Sequence, residues 1–117
     1  DTILTRQSAH NPASFGSYPR VLGHFCRDLG LFSLEEAIRR MTSFSADRIG
    51  LKNIGRIAEG MPADLVVFNP LTVADNTTPE QSAVPPSGIE AVLISGEIIA
   101  QNGQLNWGVR RGRLLRN

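Results

Sequence analysis

Three side chains of this 117-residue chain, His10, His24 and Cys26, are of the types that hold a transition-metal ion. A metal centre needs three or more converging His, Cys, Asp or Glu ligands, and a hydrolytic one also keeps a position open for water. His24 and Cys26 lie in a stretch with helical periodicity, where residues two apart point about 200° away from each other. They cannot chelate one ion, so we interpret Cys26 as a packing residue and His24 as partly exposed. For His10 a role as ligand or substrate contact stays open, but an ordinary loop histidine is favoured.

No other common catalytic pattern is present. The sequence has no G-x-S-x-G nucleophile elbow, no P-loop and no Rossmann glycine pattern. Glu35 and Glu36 are adjacent on a predicted helix and point apart, so they suit the first turn of that helix rather than an acid/base pair. Tyr18 and Trp107 are isolated aromatics and offer no stacking platform for nucleic acid.

The composition is that of an ordinary globular chain. Apolar residues make up 41%, charged residues 20%, and the net charge is +1. These values exclude a disordered charged tail and give no general attraction to nucleic acid or an anionic membrane. No apolar run approaches the ~18 residues of a membrane span. Cys26 is the only cysteine, so a reducing cytoplasm is expected. The first residue is not Met, as if the chain had been cut from a longer one.

The first half of the chain favours helices. Apolar residues at three- and four-residue intervals predict a helix over about 19–29, with Pro19 in its first turn and Gly30 after its end. Residues 1–18 are expected to form an irregular loop. An S-x-x-E capping box, Ser33 to Glu36, opens a second helix over about 34–42. One more helical turn is expected within residues 45–50.

The second half favours strands. The predicted strands are Arg56–Glu59, Leu65–Phe68, Glu90–Ser95 and Glu97–Gln101. A hairpin is expected at Ser95-Gly96 and a tight turn at Asn102-Gly103. The segment Asn69–Ser87 is rich in Pro, Thr and Ser, and it is an unusually long loop for a compact domain.

Two motifs are more specific. Residues 55–68 read G-R-I-A-E-G-M-P-A-D-L-V-V-F. They resemble the segment with which metal-dependent amidohydrolases leave their catalytic barrel and begin a small β-sandwich, with Asn69 replacing the usual Asp. Residues 15–23 read F-G-S-Y-P-R-V-L-G and resemble a stretch of the N-acyl-D-amino-acid deacylases, also called D-aminoacylases. Shorter matches extend the resemblance over nearly the whole chain.

The resemblance implies the C-terminal fragment of such an enzyme. Residues 1–54 would be an α/β barrel remnant, the loop and helices that close a (β/α)8 barrel. Residues 55–117 would be the C-terminal part of a small mainly-β sandwich. The intact enzyme would use zinc-activated water to hydrolyse the amide bond of an N-acyl-D-amino acid. Its partners would be that substrate and the remainder of the same polypeptide, without nucleic acid or membrane, and exposed strand edges would allow self-association.

The resemblance also implies one catalytic residue. The family carries a metal-associated Asp in an S-D-G sequence, about fifteen residues before the Gly that aligns with Gly16. Asp1 falls at that place, although Thr2 replaces the Gly. Asp1 would then be a general base; the alternative is a terminal Asp without special function. The family's other metal ligands would lie upstream, so the chain alone is expected to hold no cofactor and to be inactive.

The other acids have simpler interpretations. Asp64 is expected to make a turn or backbone hydrogen bond. Asp28, Asp47 and Asp75 are expected to be exposed, as Asp usually is. A competing hypothesis makes the chain a free-standing, non-catalytic β module that acts through protein association. The length of the encoded reading frame would separate this hypothesis from the enzyme fragment.

Overall fold

The computed structural model describes residues 11–115, which form two compact units. One unit comprises residues 11–34 together with Asn69–Gly88. The other comprises Glu35–Phe68 together with residues 89–115. Within this described part, no helix is both long enough and apolar enough to cross a membrane.

The first helix spans residues 13–28 of the first unit. It is an α-helix over Ala13–Arg20 and a π-helix over Val21–Asp28. The helix begins after Pro12, so the expected loop over residues 11–18 is wrong: Pro12, not Pro19, takes the starting position that a fixed φ favours. Pro19 lies inside the helix, where it has no N–H to donate, and the π-helical segment begins two residues later. Gly30, with φ of 60°, follows the helix end as predicted.

The rest of the first unit is the long loop, Asn69–Gly88, which is irregular as predicted. Its two ends are joined by a hydrogen bond of 2.9 Å from the Asn69 N–H to the Gly88 carbonyl. An isolated antiparallel β-bridge between Ala74 and Ser87 is a second connection between the two arms of the loop. Val73 has no exposed surface and is the largest fully buried side chain of the described part.

The second helix follows the capping box. It is α-helical over Leu34–Arg39, π-helical over Arg40–Phe44 and α-helical over Ser45–Arg48. The predicted helix over 34–42 and the additional turn are thus confirmed, and they join into one element. Its buried side is made of small residues, since Ala37 and Ala46 are 1% and 4% exposed.

The second unit contains a four-stranded antiparallel sheet in the order β1-β2-β3-β4. The strands are Leu65–Phe68 (β1), Ile89–Ile94 (β2), Glu97–Gln101 (β3) and Gln104–Leu105 (β4). Three of them were predicted, and so were both turns. Ser95 and Asn102, the first residues of those turns, have φ of 51° and 49°, which suits the mirror-image turns of tight hairpins.

The predicted strand Arg56–Glu59 is wrong. These residues belong to no strand of the described sheet. Ile57 is 91% exposed, and the Arg56 guanidinium instead bonds the Asp47 carboxylate at 2.6 Å. A strand forms only where a neighbour receives its backbone hydrogen bonds, and a short alternating pattern does not reveal whether such a neighbour exists.

Candidate functional site

The predicted catalytic residue, Asp1, lies outside the described residues, and so does His10. His24 and Cys26 lie on the first helix. His24 is exposed, with its ring centroid 5.2 Å from that of Phe25 and its Nδ1 3.9 Å from the Asp28 carboxylate. Cys26 is a half-buried free thiol. These contacts are those of a helix surface.

The described residues do not fit a complete metal centre. Within residues 11–115, no three His, Cys, Asp or Glu side chains come together so that they could hold an ion.

Three residues of the F-G-S-Y-P-R-V-L-G motif lie together with Arg27 on one side of the first helix. We call this side, made of Gly16, Arg20, Gly23 and Arg27, the glycine–arginine face. Positions separated by four, three and four residues lie on the same side of a helix. Gly16 and Gly23 have no side chain, which lets the long loop approach the helix backbone. A Cβ at Gly16 would overlap the Asp75 carboxylate, and one at Gly23 would overlap the Val73 carbonyl oxygen.

Arg27 holds the long loop against the helix by donating hydrogen bonds to backbone carbonyl groups of the loop. Its Nη1 donates to the carbonyl oxygens of Val73 at 2.8 Å, Leu71 at 3.3 Å and Pro70 at 3.5 Å. Its Nε donates to Asp28 at 2.8 Å. Nη1 carries two N–H groups, which the three carbonyl oxygens share, while the N–H of Nε is used by Asp28. Arg27 thus bridges the helix and the turn that precedes Val73.

Asp75 is the second fastening point, and its predicted exposure is wrong: the side chain is 9% exposed. Its Oδ1 accepts hydrogen bonds from the Thr77 N–H at 2.8 Å and the Thr77 hydroxyl at 2.7 Å, and its Oδ2 pairs with Arg20 at 3.4 Å. Burial by itself raises the pKa of the Asp75 carboxyl, but the bonds from Thr77 and Arg20 together hold that pKa below its usual value. The lowered pKa means that this largely covered carboxyl group is ionised at neutral pH.

The other motif, residues 55–68, also uses its carboxylate for structure. Asp64 Oδ1 accepts a hydrogen bond of 2.8 Å from the Ser95 N–H in the β2–β3 turn. The Ala63 carbonyl accepts another, of 2.9 Å, from the Gly96 N–H. Asp64 Oδ2 pairs with Arg113 at 3.3 Å. The expected backbone hydrogen bond of Asp64 is confirmed.

Sequence reasoning missed the glycine–arginine face, although a signal was present. Within the first helix, Gly followed four residues later by Arg occurs twice, with the two copies seven residues apart. That repeat predicts one helical face made of bare backbone and guanidinium groups. Its partner, Val73 to Asp75, lies about fifty residues further on in the sequence and has no periodic pattern that would identify it.

Comparison with known proteins identifies the protein family of this chain. Residues 1–100 match the model of the amidohydrolase family, and the chain belongs to that family. It is 46% identical over 96% of its length to a D-aminoacylase of Alcaligenes xylosoxydans xylosoxydans. It is 41% identical over 97% of its length to an N-acyl-D-glutamate deacylase of the same organism. In each case the chain spans 23% of the relative, so it corresponds to a fragment of such proteins.

Solved structures of D-aminoacylase and of a related deacylase also match this chain. A crystal structure of D-aminoacylase matches 92% of this chain at a TM-score of 0.88 and 42% identity, over 23% of its own length. The same values hold for a D-aminoacylase structure described by its binuclear metal centre. An N-acyl-D-glutamate deacylase of Bordetella bronchiseptica, in complex with zinc and a phosphonate inhibitor that mimics the tetrahedral intermediate, matches 92% of the chain at a TM-score of 0.85 and 37% identity, over 22% of its own length.

Proposed function

We propose that this chain is the C-terminal part of a zinc-dependent amidohydrolase that cleaves the amide bond of N-acyl-D-amino acids. The products would be a carboxylate and a free D-amino acid. The supporting observation is 46% identity to a D-aminoacylase along 96% of the chain. Residues 1–54 would belong to the catalytic barrel and residues 55–117 to the β-sandwich, and the whole enzyme would be cytoplasmic.

Hydrolysis of paired enantiomers by the intact enzyme tests this proposal. N-acetyl-D- and N-acetyl-L-forms of methionine, glutamate and aspartate would be assayed for release of the free amino acid. We expect turnover of at least one D-substrate and little turnover of its L-enantiomer, because the relatives are named for D-specific deacylation. Equal turnover of both enantiomers, or of neither, would contradict the proposal.

Asp1 is proposed as the general base of the intact enzyme. Asp1→Asn keeps the size of the side chain and removes its basicity, so kcat should fall by about 10²–10⁴-fold while the fold survives. Asp64→Asn is the control. It should lower stability and leave turnover per folded molecule nearly unchanged, because Asp64 bonds the Ser95 N–H. A near-normal kcat in Asp1→Asn would remove the assignment.

The 117-residue chain by itself is expected to bind no zinc tightly and to hydrolyse no N-acyl-D-amino acid. Residues 11–115 bring together no group of three metal-binding side chains, so we assign the zinc ligands to other parts of the whole protein. Metal analysis after dialysis, combined with an assay at added zinc, is the measurement. One retained equivalent of zinc together with turnover would contradict this expectation.

A further inference from the structure

The first helix contains residues that oppose helix formation. Gly16, Pro19 and Gly23 all lie in its interior, and Gly and Pro are the two least favourable residue types there. A helix of about this length is marginal in water even with a favourable sequence. Leu22 is its only large apolar side chain buried to 8% exposure or less in the described part. Other contacts must therefore hold the helix.

The long loop supplies such contacts on the glycine–arginine face. Arg27 donates to three loop carbonyls. Two of the helix residues that oppose helix formation, Gly16 and Gly23, are also those that admit Asp75 and Val73. What weakens the helix in isolation is thus what allows the loop to dock. The loop needs the helix in turn, because Val73, its most buried residue, lies against Gly23.

We infer that the first helix and the long loop open and close as one conformational unit, independently of the β-sheet. In the intact enzyme, and resting there on the proposed function, this unit would hold in place the helix that follows the proposed base Asp1 in the sequence. Arg27 would then be a positioning residue: it acts on the reaction only through the docked helix. A segment from the proposed sandwich half would in this way support the catalytic half.

Amide hydrogen exchange of the whole 117-residue chain tests the coupling, with Arg27→Gln as the principal variant. Hydrogen bonds from a charged donor are strong enough that their loss should speed exchange by about 10-fold or more. We expect this acceleration in residues 13–28 and 70–88 together, with β2 and β3 unchanged. Arg27→Lys should restore much of the protection, because an ammonium group can donate to the same carbonyls. Gly112→Ala is the matched control, since a Cβ there meets no atom within 4 Å.

Two results would overturn the inference. In one, the loop amides exchange faster while the helix amides stay protected. In the other, β2 and β3 open together with the helix, both in Arg27→Gln and in the milder Thr77→Val, which removes one hydrogen bond to Asp75.

Kinetics of the intact enzyme separate this inference from the proposed function. Arg27→Gln should lower kcat more than it changes KM, and Arg27→Lys should recover kcat. If the helix and loop amides exchange together but Asp1→Asn has near-normal kcat, the catalytic assignment fails and the conformational unit stands. If Asp1→Asn is inactive but the helix and loop amides exchange independently, the conformational unit fails and the catalytic assignment stands.

Discussion

The Asp75 carboxylate occupies the space that a side chain at position 16 would need. Gly→Ala inside a helix ordinarily stabilises it by about 0.5–1 kcal/mol. At Gly16 we expect the opposite sign, a loss of about 1–3 kcal/mol, because the methyl group would displace a buried, hydrogen-bonded carboxylate. Chemical denaturation measures the difference. Gly112→Ala, in open space, should stay within about 0.5 kcal/mol of the parent, and a Gly16→Ala protein more stable than the parent would contradict the contact.

The ionised state of Asp75 should make stability depend on pH. The pKa of Asp75 is lowered in the folded chain, so its stabilising contribution is present above the unfolded value of about 3.9. That contribution is lost as the pH falls through the lower folded pKa. Asp75→Asn should therefore cost about 1–3 kcal/mol near pH 7 and progressively less below pH ~4. Unfolding of both proteins across that range is the measurement. A cost independent of pH would show that charge is not involved.

At the scale of elements, the second helix carries a charged cluster that can be tested alone. Glu36 accepts hydrogen bonds from Arg39 at 2.7 Å and Arg40 at 2.6 Å. The guanidinium groups of Arg39 and Arg40 lower the pKa of Glu36 to about 2, and Arg39 has the larger effect. Its support of the helix should persist above the unfolded pKa of about 4.3 and disappear as the pH falls through about 2.

An NMR titration of the Glu36 carboxyl measures this value directly. Arg39→Gln should raise the Glu36 pKa toward the ordinary range, because Arg39 is the larger of the two influences. Arg48→Gln, four residues beyond Phe44 on the same helix, is the matched control and should leave the pKa unchanged. An unshifted pKa in the parent protein would mean that the paired geometry is not populated in solution.

Elements were predictable where the pattern is local. The strands β1, β2 and β3, both hairpin turns and the second helix follow from alternation, Gly placement and a capping box. The start of the first helix was missed because two prolines, Pro12 and Pro19, each suit a helix start. The strand at Arg56–Glu59 was predicted wrongly because pairing depends on a neighbour. The burial of Asp75 depends on Gly16, which is 59 positions away in sequence, so no local pattern could reveal it.

At the scale of the whole molecule, β1 is an edge strand of the described sheet, paired only with β2. Its central residues Val66 and Val67 are 55% and 45% exposed. Exposed apolar edges favour pairing with another chain. We therefore expect the 117-residue chain to self-associate as its concentration rises, which light scattering can follow.

A charge on this edge should suppress the association. Val66→Lys places a cation on β1, a common natural protection of strand edges, and should restore the monomer. Leu114→Lys is the control, because Leu114 is 78% exposed and lies in the C-terminal segment outside the strands. A parent chain that stays monomeric at all concentrations, with β1 amides protected from exchange, would contradict the expectation.

The contact between Gly16 and Asp75 also limits how this protein can evolve. Because positions 16 and 75 share one small volume, neither can accept a larger side chain while the other stays as it is. The atoms nearest to a Cβ at position 16 are the three carboxylate atoms of Asp75, so a residue without a carboxylate at position 75 would remove these contacts. Descendants of this sequence should therefore change the two positions as a pair, and a drift of one alone should be the rarer event.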